Sequence, residues 1–508
     1  MTTTPKAPDK LFDRALIAVS AVVVLGTFMS ILDTTIVNVA IDTLSRDFHT
    51  NLATIQWVST GYMLALATVI PLTGWAADRF GTKRLYMISI GLFLAGSALS
   101  GMAWSAGSLI AFRVVQGLGG GMIMPAGMTI LSQAAGPQRV GRIMSVVGVP
   151  MLMAPIVGPI LGGWLVDDVS WRWIFYVNIP IGAVALVAAQ RLLARDRPAA
   201  HQRLDWQGLL MLSPGLAAFV YGLAQTSSSG GLGSVKAWLP MAAGLVLIGS
   251  FIAHALRSAW PLLDVRLFRN RTMSAASTTT FAFAAAMFGA MFMVPLYYQV
   301  VRGESALDAG LLLAPQGVGA ALMMPVAGKI TDQAGPGKVV LGGLVLLLLG
   351  MLGFTRVGAD TSFWFLGGSQ FLLGMGMGAT MMPAMSAAYQ TLARPQVARA
   401  TTALNIIQRV GGSIGTATLS VVLTHQLAGR LPGAGQSGLS AAQSVPASAR
   451  AEVAPRIAEA FGHTFWWAVG VIVLAVIPAL LLPRRRPSLP TGEQEAVTEM
   501  PAAEAVAA

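Results

Sequence analysis

GWAADRFGTKR, residues 74–84, and GKITDQAGPGK, residues 328–338, carry one pattern: Gly, three residues, Asp, two residues, Gly, then a basic residue. Asp78 and Asp332 stand 254 positions apart. Each stretch follows a long apolar run and precedes another. A direct repeat of this kind marks a chain built from two related halves, one of the transporter architectures in which the substrate site lies between the halves near the midplane. Two six-helix halves joined directly would place the copies roughly 200 residues apart, from ordinary helix and loop lengths. The excess is the size of a helix pair, which predicts two extra helices between the halves.

Composition supports a bilayer setting. Of 508 residues, 55% are hydrophobic and 11% charged, with mean hydropathy +0.68; a soluble domain would carry about 25% charged residues. Charge falls in short clusters separated by apolar intervals of about 20 residues, the length that crosses hydrocarbon as a helix. The spans read 15–38, 53–76, 85–104, 107–131, 141–166, 173–192, 205–225, 237–256, 272–297, 307–328, 339–356, 363–388, 402–425 and 463–482, fourteen in all. The first run is too long for a cleavable signal and lacks a small-residue cleavage site, so it is expected to remain as the first span.

The fold class expected is all-α integral membrane. Residues 1–14 form an N-terminal arm, 15–192 the first six-helix half, 193–256 the inserted pair and 257–482 the second half. Within the second half, 426–462 reads as a long outside loop with a short surface helix near 448–460. The segment 483–508, rich in Pro, Glu and Ala after a basic stop, reads as a disordered tail.

Loop charge sets the orientation. With the N-terminus inside, 23 of the 33 Lys and Arg fall in inside segments and eight outside, while Arg113 and Arg409 lie within spans. Basic residues collect on the cytoplasmic side, so both termini are expected there, in a cell (cytoplasmic) membrane. The same rule accounts for the formal net charge of +12 without a nucleic-acid partner. There is no cysteine, which excludes disulfides, thiolate metal sites and iron–sulfur clusters. The five histidines have no ligand spacing, so no metal and no cofactor is expected.

SILDTTIVNV, residues 30–39, holds Asp33, the only acid of its apolar run. A charged carboxylate at the bilayer centre costs roughly 2.5–3.5 kcal/mol on insertion scales. Asp33 is either a structural acid satisfied by backbone or water, or a proton carrier. Burial favours the neutral form of a carboxyl and a nearby cation the ionised form, so a group under both influences changes protonation when its surroundings change. Arg113, on the fourth span, sits at a similar depth, roughly 8–9 Å below the outer surface at 1.5 Å rise per residue. Depth permits an Asp33–Arg113 pair; snorkelling of Arg113 is the alternative. Arg409, near the inner end of span 13, is balanced between snorkelling and function. With one deep acid, about one proton per cycle and a substrate of low charge are expected, unless span-end acids such as Asp205, Asp264 or Asp308 take part.

In span 5, Gly158, Gly162 and Gly163 permit close helix approach and Pro159 bends the helix: tight packing, a pivot, or both. Asp78 with Arg79, Gly81 and Lys83, and Asp332 in the second copy, are either solvated loop groups or a latch between the halves, an acid gaining from a helix N-terminus. Polar or amphipathic candidates for substrate contact are Asn38, Gln56, Trp57, Tyr62, Gln116, Tyr297, Gln299, Asn405, Gln408 and Arg409. The 26 methionines suit varied apolar ligands, although packing explains each one singly. A membrane enzyme would need polar catalytic groups clustered at one depth, and a channel would need polar rings; neither is present in the spans.

Several stretches carry a family resemblance over about residues 12–482. GWAADRFGTKRL, LDTTIVNVAI (32–41), LIAFRVVQGLGGG (109–121), GPILGGWL (158–165), SWRWIFYVNIPIG (170–182), LDWQG (204–208) and YYQVVRGESALDAGLLLAP (297–315) resemble, in order, the motifs of the fourteen-helix drug:proton antiporters of the major facilitator superfamily, the EmrB/QacA type. The resemblance implies the major facilitator fold with two helices inserted between its halves. It implies proton-driven efflux of lipophilic drugs, dyes or antibiotics, cationic or neutral, across a lipid bilayer by alternating access. It implies a proton-coupling role for Asp33, and Arg113 and Gln116 fall on the matching fourth-helix motif. A dedicated exporter of one metabolite is the nearer alternative and a membrane enzyme the distant one. An adaptor protein crossing a periplasm leaves no mark by which the chain could reveal it.

Overall fold

The computed structural model describes residues 14–50, 52–135, 160–194, 203–228, 233–390, 396–430 and 447–484, together with 148, 153–154, 157–158 and 392. The apolar runs form helices because hydrocarbon offers a backbone no hydrogen-bond partner but itself. The long ones are α1 (Arg14–Val39), α2 (Trp57–Val69), α3 (Leu72–Phe80), α4 (Thr82–Gly101), α5 (Ala106–Ala135), α6 (Asn178–Leu192), α7 (Trp206–Ser228) and α8 (Val235–Arg257). They continue as α9 (Arg271–Val300), α10 (Ala314–Ala334), α11 (Pro336–Phe354), α12 (Phe363–Tyr389), α13 (Val397–Ala428) and α14 (Ala447–Ala479). Among the described residues twelve helices are long and apolar enough to cross a membrane, and α2 with α3 makes a thirteenth. That pair bends by 57° at Ile70–Pro71, where proline interrupts the helical ladder. The span expected over 141–166 lies largely outside the described residues, and Pro159 with it.

Packing repeats along the chain. α1 packs on α5 and α6, α4 on α5 and α6, and α2 on α5. Later in the chain, α9 packs on α12 and α14, α11 on α12 and α14, and α10 on α12. The punctuation repeats as well. Gly81 caps α3 at φ 85°, ψ 149°, and Gly335 caps α10 at φ 89°, ψ 150°. This backbone region is nearly closed to residues with a Cβ. The chain turns from one helix into the next at both places without a loop. Consequently Asp78 and Asp332 lie in the last turns of α3 and α10 rather than in loops, and Asp332 is buried.

Across the two groups α13 packs on α5 and on α3, its first turns against α3. Gly74 of α3 lies against the Arg399 backbone and Thr402 of α13. Gly148 lies against Met324 of α10. α7 packs on α8 and also spans the seam, touching α2 on one side and α13 on the other. Ser213 donates to the Thr68 carbonyl at 2.6 Å, Trp57 stacks on Tyr221 at 6.0 Å, and Phe219 and Leu223 pack on Ala417. Asp205 fixes the other end of the pair: it accepts from the Gly208 and Leu262 amides and lies 2.9 Å from His254 Nε2. α8 leaves Leu245, Val246 and Leu256 more than half exposed, a face suited to lipid.

Two expectations change. The surface helix placed near 448–460 is not separate; α14 runs unbroken from Ala447 to Ala479, and residues 431–446 of the expected loop lie outside the described residues. Gly163 meets nothing within 4 Å among the described residues, so no close approach to them requires it. Gly158 and Gly162 do make one, against Thr35 and Ile36 of α1.

Gly81→Ala and Gly335→Ala should each lower stability by about 1–3 kcal/mol, the cost of placing a Cβ in this backbone region. Gly163→Ala, in open space, should leave the unfolding midpoint unchanged or raised. Thermal unfolding of the three variants in detergent checks both expectations.

Candidate functional site

Asp33, on α1, is fully buried, and its carboxylate is surrounded by donors. Arg113 Nη1, from α5, lies 2.6 Å from Oδ2. Gln116 Nε2, one turn further along α5, donates to Oδ1 at 2.8 Å, and Asn178 Nδ2, the first residue of α6, donates to the same oxygen at 2.9 Å. The Gln116 carbonyl accepts from Arg113 Nη1 at 2.8 Å. Asn178 Nδ2 also reaches Ser97 Oγ of α4 at 3.1 Å, and Ser97 donates to the Phe175 carbonyl at 2.8 Å. The Arg113 guanidinium lies over the Tyr62 ring, 4.1 Å from its centroid, and its Nε points to the Val58 carbonyl at 3.4 Å.

Small residues set this geometry. A Cβ on Gly96 would come 2.6 Å from the Gln116 Cα, and one on Gly117 would come 2.5 Å from the Tyr62 carbonyl. The backbones of α4 and α2 therefore press against α5 where Gln116 and Tyr62 leave it or face it. A buried ion pair is costly to desolvate and is held only when the remaining lone pairs and protons find partners; this cage supplies them from four helices. The three donors fill three of the carboxylate's four lone-pair positions. Asn178 Oδ1 has no partner among the described residues.

A second feature lies on the other side of Tyr62. A cavity of ≈ 60 Å³ opens between the two helix groups. Thr27, Ser30 and Thr34 of α1 give it a polar wall, Ile31, Met63, Leu66 and Met124 an apolar one, and Arg409 of α13 enters it from across the seam. Arg409 is part-exposed there.

A third feature joins the helix groups. Arg399 Nε, in the first turn of α13, lies 3.2 Å from Asp78 Oδ2, both groups largely covered. Arg79 is exposed. Lys83 works elsewhere: its ammonium donates to the Gln190 and Leu193 carbonyls at 2.8 and 2.6 Å, capping the end of α6.

The other candidates scatter. Gln56 and Gln299 are exposed, and Trp57 is engaged with α7. The Tyr297 hydroxyl donates to the Gly358 carbonyl, Asn405 bonds back to Thr401 of its own helix, and Gln408 approaches Met381 Sδ at 3.9 Å. Asn38 lies in α1, its side chain outside the described residues. Asp205, Asp264 and Asp308 hold helix ends: Asp205 binds the amides and His254 named above, Asp264 accepts from the Arg266 amide, and Asp308 accepts from Ser305. Ser97 and Asn178 were not singled out from sequence. An amide beginning an otherwise apolar span, in VNIP, was the available signal for Asn178.

Among the described residues no group of three or more His, Asp or Glu could hold a metal ion. The family model of the Major Facilitator Superfamily matches residues 23–416. The Multidrug resistance protein B homolog of Mycobacterium tuberculosis (strain ATCC 25618 / H37Rv) is 43% identical over 499 residues, covering 95% of this chain and 92% of that protein. The human organic anion transporter MFSD10 (TETRAN) superposes with a TM-score of 0.61 at 14% identity, over 90% of this chain and 99% of the other. The proton:xylose symporter XylE, bound to 6-bromo-6-deoxy-D-glucose, superposes with a TM-score of 0.60 at 13% identity, over 91% and 94%. At these identities the two structures speak for the fold alone.

Arg113→Leu should cost about 3–5 kcal/mol, because it leaves the Asp33 carboxylate buried without its cation. Asp33→Asn added to that variant should recover part of the loss. Denaturation of the single and double variants in detergent measures the coupling; a neutral Arg113→Leu would contradict it.

Proposed function

This chain belongs to the Major Facilitator Superfamily, and on that premise we propose that it exports small lipophilic solutes in exchange for protons, with Asp33 as the proton carrier. The membrane-enzyme alternative falls with that membership. The observation that carries the reading is the donor cage around Asp33. An arginine and two amides fill three of the four lone-pair positions of a carboxylate held at 0 % exposure, so a proton arriving there removes the charge that holds Arg113. Proton binding thereby loosens the contact between α1 and α5. Arg113, once its carboxylate is neutral, keeps the Gln116 carbonyl, the Val58 carbonyl and the Tyr62 and Phe175 rings.

In this reading the chain crosses the membrane fourteen times, as two six-helix halves with α7 and α8 between them, and both termini are cytoplasmic. The repeated packing of α1–α6 and α9–α14 supports the halves, and the charge bias of the loops supports the orientation. The Asp78–Arg399 pair then lies on the cytoplasmic side and latches span 2 to span 13. The conformation is the one closed to the cytoplasm, and opening that side requires the latch to part and α7 to slide against one of the two helices it bridges.

Purified protein in liposomes under an inward proton gradient, challenged with lipophilic compounds from the opposite side, tests the carrier. Substrate-dependent proton flux is expected in the wild type and should be lost in Asp33→Asn. Equal flux in both would move the proton site elsewhere, and no flux with any compound would favour a dedicated exporter of one metabolite. The native chain has no cysteine, so the latch can be trapped directly. Gly74→Cys with Thr402→Cys should form a disulfide, since a Cβ at Gly74 comes 3.3 Å from Thr402 Oγ1. The disulfide should stop transport, and reductant should restore it.

A further inference from the structure

We propose that the Arg409 cavity is a head-group subsite for anionic lipophilic substrates, with Arg409 as the residue that selects charge. The proposal rests on the exporter reading and narrows its substrate class, displacing the cationic compounds expected from the sequence.

Four observations support it. Among the described residues Arg409 is the only charged one lining the cavity. Among the described residues it has no ion pair and no hydrogen bond, although it sits well inside α13, three turns from its start. A guanidinium keeps its proton under any physiological condition, so the cavity is cationic. Arg409 is part-exposed, so its guanidinium faces the open space of the cavity rather than packed protein and is free to meet a ligand's anionic group.

The rest of the wall fits an acceptor. The Thr27 hydroxyl, buried, has no partner among the described residues, and the Tyr62 hydroxyl abuts Gly120 on the cavity wall within reach of the Ser30 and Thr34 hydroxyls. Thr27 is a donor in search of an oxygen, beside a cation. Opposite them, Ile31, Met63, Leu66 and Met124 supply an apolar surface with adaptable thioethers. A carboxylate, phenolate or sulfonate head thus fits against Arg409 with its apolar body along the methionines. The nearest deep acid does not cancel the cation, because both oxygens of Asp33 are engaged by Arg113, Gln116 and Asn178 on the far side of Tyr62. At ≈ 60 Å³ the closed cavity holds a head group and not a whole drug, so the body of the ligand enters as the halves separate.

Two probes with one dansyl fluorophore and linkers of equal length, one ending in a carboxylate and one in an ammonium, test the assignment. Saturable binding to the purified full-length protein in detergent is followed by fluorescence, with empty micelles as the blank. The wild type should bind the carboxylate at least tenfold more tightly than the ammonium. Arg409→Gln should bring the two within about threefold, and Arg409→Lys should keep most of the preference. Equal or tighter ammonium binding in the wild type, a preference that survives Arg409→Gln, or no saturable carboxylate binding would each overturn the proposal. The wild-type ratio needs no variant, so a misfolded Arg409→Gln does not shelter it. The exporter reading fails separately. A carboxylate preference with no proton exchange in liposomes would overturn the exporter and leave the subsite. Proton exchange driven by the ammonium probe and not by the carboxylate would do the reverse.

Discussion

An ionised carboxylate buried on α1 is the constraint to which the N-terminal helices are fitted. Asp33 at 0 % exposure needs a cation and enough donors to replace water. One helix cannot provide them, so α5 gives Arg113 and Gln116, α6 gives Asn178, and α4 braces Asn178 through Ser97. These donors reach one point only if the backbones approach closely, which is why Gly96 and Gly117 stand where any Cβ would collide with α5 or α2. The glycines, the amides and the ion pair are one arrangement, and changing any of them shifts the others.

The C-terminal helices repeat the packing without repeating this chemistry. α9–α14 pair with one another as α1–α6 do, and Gly335 turns the chain as Gly81 does. Fold symmetry therefore comes from backbone punctuation and small-residue contact, which a duplicated chain retains, while the charged groups are free to diverge. The inserted pair is lodged at the seam, where α7 touches α2 and α13 at once. A helix so placed resists relative motion of the two groups on one side of the molecule only, which biases any rocking motion toward a hinge along that edge.

The membrane fold was legible because its signals are one-dimensional: apolar runs of spanning length and the Gly-x-x-x-Asp-x-x-Gly repeat. The Asp33–Arg113 pair was half legible, since helical rise gives depth but not the rotation of either helix. The amide partners were less so. Asn178 and Ser97 become functional only through contacts 81 to 145 residues away in sequence, and a single amide or hydroxyl in an apolar run has many ordinary explanations. Gln56, Gln299 and Asn405 illustrate the converse error: polarity in a span was read as substrate contact, whereas exposure at a helix end or a bond to the residue's own helix satisfied it. Lys83 was read with the latch because it follows Asp78, yet the turn at Gly81 sends it along the next helix to the end of α6.

The two arginines within spans show why residue type and depth do not settle role. Arg113 is neutralised by a carboxylate, two further hydrogen-bond acceptors and two aromatic faces, so it is part of a closed network within the N-terminal group. Arg409 enters from the opposite group and meets hydroxyls and methionines instead. Tyr62 separates them, its ring under one guanidinium and its hydroxyl at the wall of the other's cavity. In the proposed exchange, a change of charge at Asp33 would alter the field on the ring that carries that hydroxyl. The coupling between proton and cavity would then pass through one tyrosine rather than through direct competition for one carboxylate, and such an arrangement does not require the transported solute to be a cation.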